Sequence, residues 1–268
     1  MASDESVRSE REGAALALVA GSGLMLVSAV AAAWSTYLYW LPCRGSMLEG
    51  TLLQPSWGDG RTYEEYEKLD PAVKAAMQAC EARMDGDISG QAPWTSELLL
   101  LAMALAGLAW LNLVLGLRWR LRTKAVAALP GLGTVALALA MAVTIGDAEG
   151  GEEHALLTML PVAVGWSALV ALAAVWAWQP EVRTRRRFLR LALAVWGTTA
   201  FGIFHQMLEY MIMVGFSERD WDDPPGTGYL TVAAIAISAI LIVIMTLRMP
   251  PRAAEADPQP SPRARVPA

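Results

Sequence analysis

The sequence has few of the residues that usually carry polar chemistry. It contains two His and two Cys, and only 18% of its 268 residues are charged, against about 25% in a typical soluble domain. Two histidines are too few to supply the axial ligands of two membrane haems. There is also no P-loop, GxSxG or HExxH motif, so the sequence contains no strong motif that would identify a catalysed reaction.

Apolar residues are abundant instead, and they are concentrated in long runs. Hydrophobic residues make up 55% of the chain, and the mean hydropathy is +0.37. The runs reach roughly 20 residues, the length that a helix needs to cross a hydrocarbon core of about 30 Å. They do not alternate in polarity as barrel strands do. The predicted fold is therefore all-α, a polytopic bundle of six transmembrane helices with a small helical extracytoplasmic loop. The predicted spans are residues 13–40, 97–117, 125–146, 155–178, 188–216 and 227–249.

The basic residues predict how this bundle is oriented. Most of the Arg and Lys residues lie near the two chain ends and in the loops at 118–124 and 183–187. The positive-inside rule places these segments in the cytoplasm, and it places the hydrophilic segment 41–95 outside. We interpret the basic loops as a topology signal, so no nucleic-acid partner is predicted.

This orientation divides the chain into three parts. Residues 1–12 are predicted to be a cytoplasmic segment and residues 13–249 the transmembrane domain, which includes loop 41–95. Residues 250–268 are predicted to be a disordered cytoplasmic tail, because they contain too few apolar residues to fold. The Arg-rich, Asn-poor composition is typical of a GC-rich bacterial genome and indicates the plasma membrane of a bacterium. The expected partners are the lipid bilayer and another membrane or envelope protein.

The only two cysteines, Cys43 and Cys80, lie in the same exported segment. Because the compartment outside the membrane is oxidising, this placement predicts a disulfide. A redox pair or a metal site is the weaker alternative, since the spacing is unlike CxxC and the segment contains no His. Between the cysteines, Asp70 is followed by Pro71. An N-cap residue before proline predicts a helix that begins there, and its apolar pattern ends near Asp85.

The main candidate site inside the membrane lies on the fifth predicted span. His205 and Glu209 are four residues apart, so they share one helical face. Ionisable residues are costly in lipid, so this face is predicted to point into the bundle. His154 and two acidic turns are predicted at the same membrane side. Three roles compete: interhelical contacts, which are favoured; a divalent-cation site of His205, Glu209 and His154; and acid–base catalysis by the pair. No other cofactor is predicted.

Several glycines inside the apolar runs predict close contacts between helices. Gly131 and Gly133 match part of a dinucleotide-binding fingerprint, but they lie inside a span with no strand before them. They are predicted to kink the helix or to let a neighbour approach. Gly197 and Gly202 flank two threonines, a patch of small residues that also suits close packing. The fifth span, at 188–216, is longer than a bilayer requires and is predicted to tilt or protrude.

The sequence favours a multi-pass plasma-membrane protein that is not an enzyme and has a role in transport, sensing or envelope assembly. One alternative is a membrane-embedded enzyme acting on a lipid-linked or envelope substrate at the outer face. The other is divalent-cation binding or transport through His205 and Glu209. A wet polar cavity at His205 would favour transport or catalysis, whereas a dry, packed bundle would favour an accessory role.

Overall fold

The computed structural model describes residues 2–43, 70–85, 92–117, 119–146, 154–216 and 226–247. Within these ranges every regular element is helical. The helices are α1 (Ala2–Tyr39), α2 (Pro71–Met84), α3 (Thr95–Gly116), α4 (Leu121–Ala127), α5 (Leu129–Gly146), α6 (His154–Trp178), α7 (Arg185–Thr198), α8 (Ile203–Phe216) and α9 (Tyr229–Leu247), with 3₁₀ turns at Leu41–Cys43 and Pro180–Val182. The predicted tail, both acidic turns and most of the exported segment lie outside the described residues.

The apolar helices indicate a multi-pass membrane protein. Four stretches in the described part of the chain are long and apolar enough to cross a bilayer, and α7 with α8 makes a fifth if the bent pair is one span. The last apolar helix, Tyr229–Ile244, is shorter than these. The helical class is thus confirmed, whereas the predicted number of six spans is not established. The four long stretches are Gly13–Tyr39, Thr95–Gly116, Leu121–Val143 and Met159–Trp178.

The span predicted at 188–216 is not one straight helix but two helices joined by a sharp bend. The chain bends by 84° between α7 and α8. The hydroxyls of Thr198 and Thr199 donate to the carbonyls of Ala194 and Val195, at 3.0 and 2.9 Å. Such bonds to the preceding turn weaken and bend helices. Gly202 then lies so close to α6 that an added Cβ would be 3.1 Å from the backbone nitrogen of Gly165, so packing between helices fixes the break.

Small residues bring the helices together, as the glycine pattern predicts. At the crossing of α3 and α5, a Cβ added to Gly107 would lie 2.7 Å from the carbonyl oxygen of Gly131, and the reverse distance is also 2.7 Å. Hydroxyl groups bridge other pairs: Ser28 Oγ donates to Ala102 O at 2.7 Å, and Ser238 Oγ donates to Ala194 O at 2.8 Å. Close packing and such bonds drive helix association in lipid, where apolar burial does not.

The predicted disulfide is confirmed: Cys43 and Cys80 are bonded. The bond joins the end of α1 to α2, which begins at Pro71 with Asp70 as its N-cap, and the Asp70 carboxylate accepts from the Ala72 amide at 2.7 Å. Trp40 packs against both cysteines and is 4% exposed. We call Trp40, Cys43 and Cys80 the disulfide cluster.

The opposite end of the bundle is rich in arginine, and we call it the basic end. There α4 begins beside the end of α6: the Gln179 amide donates to Thr123 Oγ1 at 2.9 Å, and the Arg122 guanidinium lies 5.3 Å from the centre of the Trp178 ring. α7 begins next to this contact, after the 3₁₀ turn, with three consecutive arginines.

Candidate functional site

The site is built on α8, a helix that exposes most of its apolar side chains. Met207 and Met211 are 56% and 69% exposed, whereas His205 and Glu209 are 6% and 3% exposed. These two are the only buried side chains of α8 that the structure describes. The prediction that their face points into the bundle is therefore confirmed, because both ionisable side chains are buried among the helices.

Glu209 binds the beginning of α9. Its Oε1 accepts from the backbone amides of Gly228 and Leu230, at 2.7 and 2.9 Å, and its Oε2 accepts from the Thr231 hydroxyl at 2.6 Å. The first amides of a helix have no partner within the helix, and the helix dipole places partial positive charge there. The carboxylate thus caps α9 from a different helix, and the three donors stabilise its negative charge without a basic side chain.

His205 is held by Trp196, which lies on the other side of the helix break. The indole Nε1–H of Trp196 donates to His205 Nδ1 at 2.6 Å. Because indole can only donate, Nδ1 must carry a lone pair, and the neutral ring carries its proton on Nε2. His205 Nε2 is buried, has no hydrogen-bond partner among the described residues, and lies 3.6 Å from Glu209 Oε2. The N–H therefore faces the carboxylate.

A small cleft lies beside His205, in the angle between α7 and α8. Its volume is roughly 60 Å³. Its walls are apolar side chains of α6 and α7, among them Ala168, Leu172 and Val195, and only Trp196, Thr199 and His205 add polar atoms. The cleft is thus no wet polar cavity.

No protein-family model, curated protein or solved structure matches this chain. Any assignment of function therefore rests on the chemistry of the site itself.

The structure brings together two of the three residues predicted for a metal site. His205 and Glu209 meet, but the side chain of His154 lies outside the described part, where this residue is known only as the first of α6. Among the described residues, no group of three or more His, Cys, Asp or Glu side chains is close enough to hold a metal. The cation site remains a prediction.

Three residues that complete the network, Trp196, Gly228 and Thr231, are missing from the sequence prediction. Trp196 is nine residues before His205, a spacing that a straight helix would not bring into contact, so only the bend pairs them. The predicted span at 227–249 indicated a helix start near α9, but not which acid would cap it. Gly228 has φ +99°, and its Cα hydrogens face Thr36 of α1, where a side chain would collide.

The same turn connects Glu209 to the disulfide cluster. The Trp40 Nε1–H donates to the carbonyl of Thr227 at 2.7 Å, and the next residue, Gly228, donates to Glu209. A continuous chain of contacts therefore runs from the disulfide through the turn to Glu209 and His205. The site lies at the same end of the bundle as the disulfide.

Proposed function

We propose that the chain is a bacterial plasma-membrane protein that is not an enzyme and that has an accessory role, in which the bundle holds a disulfide-closed exported segment for assembly with an envelope partner. One observation carries this proposal: apart from His205 Nε2, the polar groups of the candidate site are bound inside the fold. Three donors occupy the Glu209 carboxylate, and Trp196 occupies His205 Nδ1. A site for an external substrate needs such groups available.

The proposed topology has six spans and cytoplasmic ends. The bent pair α7–α8 counts as one crossing and α9 as another, and the arginines at the starts of α4 and α7 face the cytoplasm by the positive-inside rule. Single cysteines introduced into a Cys-free variant test this in intact cells. An impermeant thiol reagent should label position 85 and not position 120, and the opposite pattern would overturn the topology.

The accessory role is tested with a photo-crosslinking residue placed at Asp85, at the end of α2. We expect a discrete adduct with one envelope protein that disappears in the Cys43→Ser/Cys80→Ser variant, because the exported segment then loses its anchor. The matched control carries the crosslinker at Leu115, which is 65% exposed on an apolar helix and should react with lipid. Absence of any adduct specific to position 85 would argue against the role.

Proteoliposomes test the competing transport function. Purified wild type and His205→Ala should both give zinc and proton fluxes equal to those of protein-free vesicles. A wild-type flux that His205→Ala abolishes would replace the accessory role with transport through the pair.

One observation favours a second candidate, a divalent-cation site. His205 Nε2 has no hydrogen-bond partner among the described residues and lies 3.6 Å from Glu209 Oε2, close to the spacing of two ligands each about 2.1 Å from zinc. A metal on Nε2 needs the ring proton on Nδ1, where it would oppose the Trp196 N–H. Cation binding would therefore require the hydrogen bond from Trp196 to His205 to break.

Calorimetry with zinc separates the two candidates. If the pair binds zinc, Trp196→Phe should bind more tightly than wild type, because the competing donor is gone, and His205→Ala should bind none. Equal, negligible heats for all three proteins would remove the cation site and leave the interhelical role.

A further inference from the structure

The cleft and the basic end are connected along one face of α7. Arg186, Leu189, Leu193 and Trp196 follow at spacings of three, four and three, so they form one stripe of the helix. The three apolar members are 55%, 39% and 40% exposed, and Trp196 lines the cleft. A path of exposed apolar surface thus leads from an arginine to the cleft.

The length of this path matches one leaflet of a bilayer. Ten residues separate Arg186 from Trp196, which is about 15 Å at 1.5 Å per residue. Half of a hydrocarbon core of about 30 Å is the same distance. A lipid with its phosphate at Arg186 would therefore place a chain end at the depth of the cleft, whose roughly 60 Å³ would hold only such an end.

The charges at the start of α7 lack anionic partners within the described chain. Arg183 donates to the carbonyls of Trp176 and Ala177, and Arg187 donates to that of Glu181. Arg185 and Arg186 are exposed and make no hydrogen bond or ion pair with the described residues. Three arginines in the first turn repel each other and the positive end of the helix dipole. A phosphate relieves this repulsion, and guanidinium binds it in bidentate fashion.

We propose that the α6–α7 face is a binding site for one anionic phospholipid, with its phosphate on Arg185 and Arg186 and one acyl chain ending in the cleft beside Trp196 and His205. A lipid with net negative charge fits better than a zwitterionic one, because no carboxylate of the described residues neutralises the two arginines. The site goes beyond the accessory role, because it assigns a ligand to the cleft and to the exposed arginines of α7.

The test uses the full-length protein in detergent, titrated with phosphatidylglycerol or phosphatidylcholine and analysed by native mass spectrometry. Wild type should prefer phosphatidylglycerol. Arg185→Gln/Arg186→Gln should weaken that binding about 25-fold, since each basic residue near an anionic surface contributes roughly fivefold. The matched control, Arg120→Gln/Arg122→Gln, removes two charges from the same end and should change binding less than threefold. Equal losses in both variants, or equal binding of the two lipids by wild type, would overturn the site.

The position of the acyl chain is tested with phosphatidylglycerol that carries a diazirine at the chain end. Photolysis should label peptides of α6 and α7 that line the cleft, and Ala192→Leu, which fills the cleft, should remove this labelling while affinity for the headgroup remains. If Ala192→Leu does not fold, competition by unlabelled phosphatidylglycerol on wild type decides. Labelling that is spread over all apolar helices and does not respond to the competitor would refute the chain position.

Discussion

Replacing Glu209 gives the sharpest test of the network, because Gln and Ala remove different parts of it. Glu209→Gln keeps an acceptor oxygen for the Gly228 and Leu230 amides. It removes the charge at the start of α9, and an NH₂ donor replaces the oxygen that accepts from Thr231. A charge at a partly buried helix terminus contributes up to ~2 kcal/mol, so we expect the free energy of unfolding to fall by about 1–2 kcal/mol. Glu209→Ala leaves both amides without an acceptor, and each buried unsatisfied donor costs about 1–3 kcal/mol. The expected loss is then roughly 3–4 kcal/mol.

The measurement is a titration with sodium dodecyl sulfate in mixed micelles, followed by circular dichroism. The control is Glu97→Gln, which changes an exposed glutamate in the first turn of α3. It should stay within about 0.5 kcal/mol of wild type. If Glu209→Ala costs no more than this control, the carboxylate does not hold α9, and the structural role assigned to the pair fails.

Three further predictions concern the contacts around this network. Gly197→Ala should lower the free energy of unfolding by about 1–3 kcal/mol, because its Cβ would collide with Ser238 and the carbonyl of Ala234. The control is Gly23→Ala, whose Cβ has nothing within 4 Å, and it should be neutral or slightly stabilising in the same titration. Cys43→Ser/Cys80→Ser should lower the free energy of unfolding by about 4 kcal/mol, because the bond closes a loop of 37 residues. Two free thiols found by mass spectrometry of the unreduced wild type would contradict the bond itself. The losses of unfolding free energy from Trp40→Phe and Glu209→Gln should depart from additivity by at least about 0.5 kcal/mol, because both residues bind the turn at Thr227 and Gly228. Trp110→Phe loses a separate bond to Ala127, so its loss should add to that of Glu209→Gln within about 0.5 kcal/mol.

The parts of this fold that the sequence predicts are those set by local chemistry. Asp70 before Pro71 marks a helix start because an N-cap side chain and a proline each act within one turn. Cys43 and Cys80 pair because they share one segment and no other thiol competes. His205 and Glu209 turn inward because the cost of exposing ionisable groups to lipid does not depend on which helix is their neighbour.

The bend between α7 and α8 is different, because it depends on a partner distant in sequence. Two glycines and two threonines weaken the helix, but such residues also occur in straight spans, where neighbouring helices satisfy the backbone. What fixes the bend is the fit of Gly202 against Gly165 and of Phe204 in the space that Gly165 leaves. The contact of Trp196 with His205 depends on this packing, so no spacing in the sequence could have predicted it.

Each polar residue of the site is positioned by another, and this series of contacts ends at the disulfide. Trp196 sets the tautomer of His205, the N–H of His205 faces Glu209, and Glu209 orders the first turn of α9. That turn is also held from the other side by Trp40, whose position depends on the Cys43–Cys80 bond. His205 and Glu209 are the only buried side chains of α8 among those described, and Phe204 adds a contact with α6 at Gly165. A continuous route of contacts therefore joins the disulfide cluster to the buried pair beside the helix break. This route gives the buried pair a structural reason to exist that needs no external ligand.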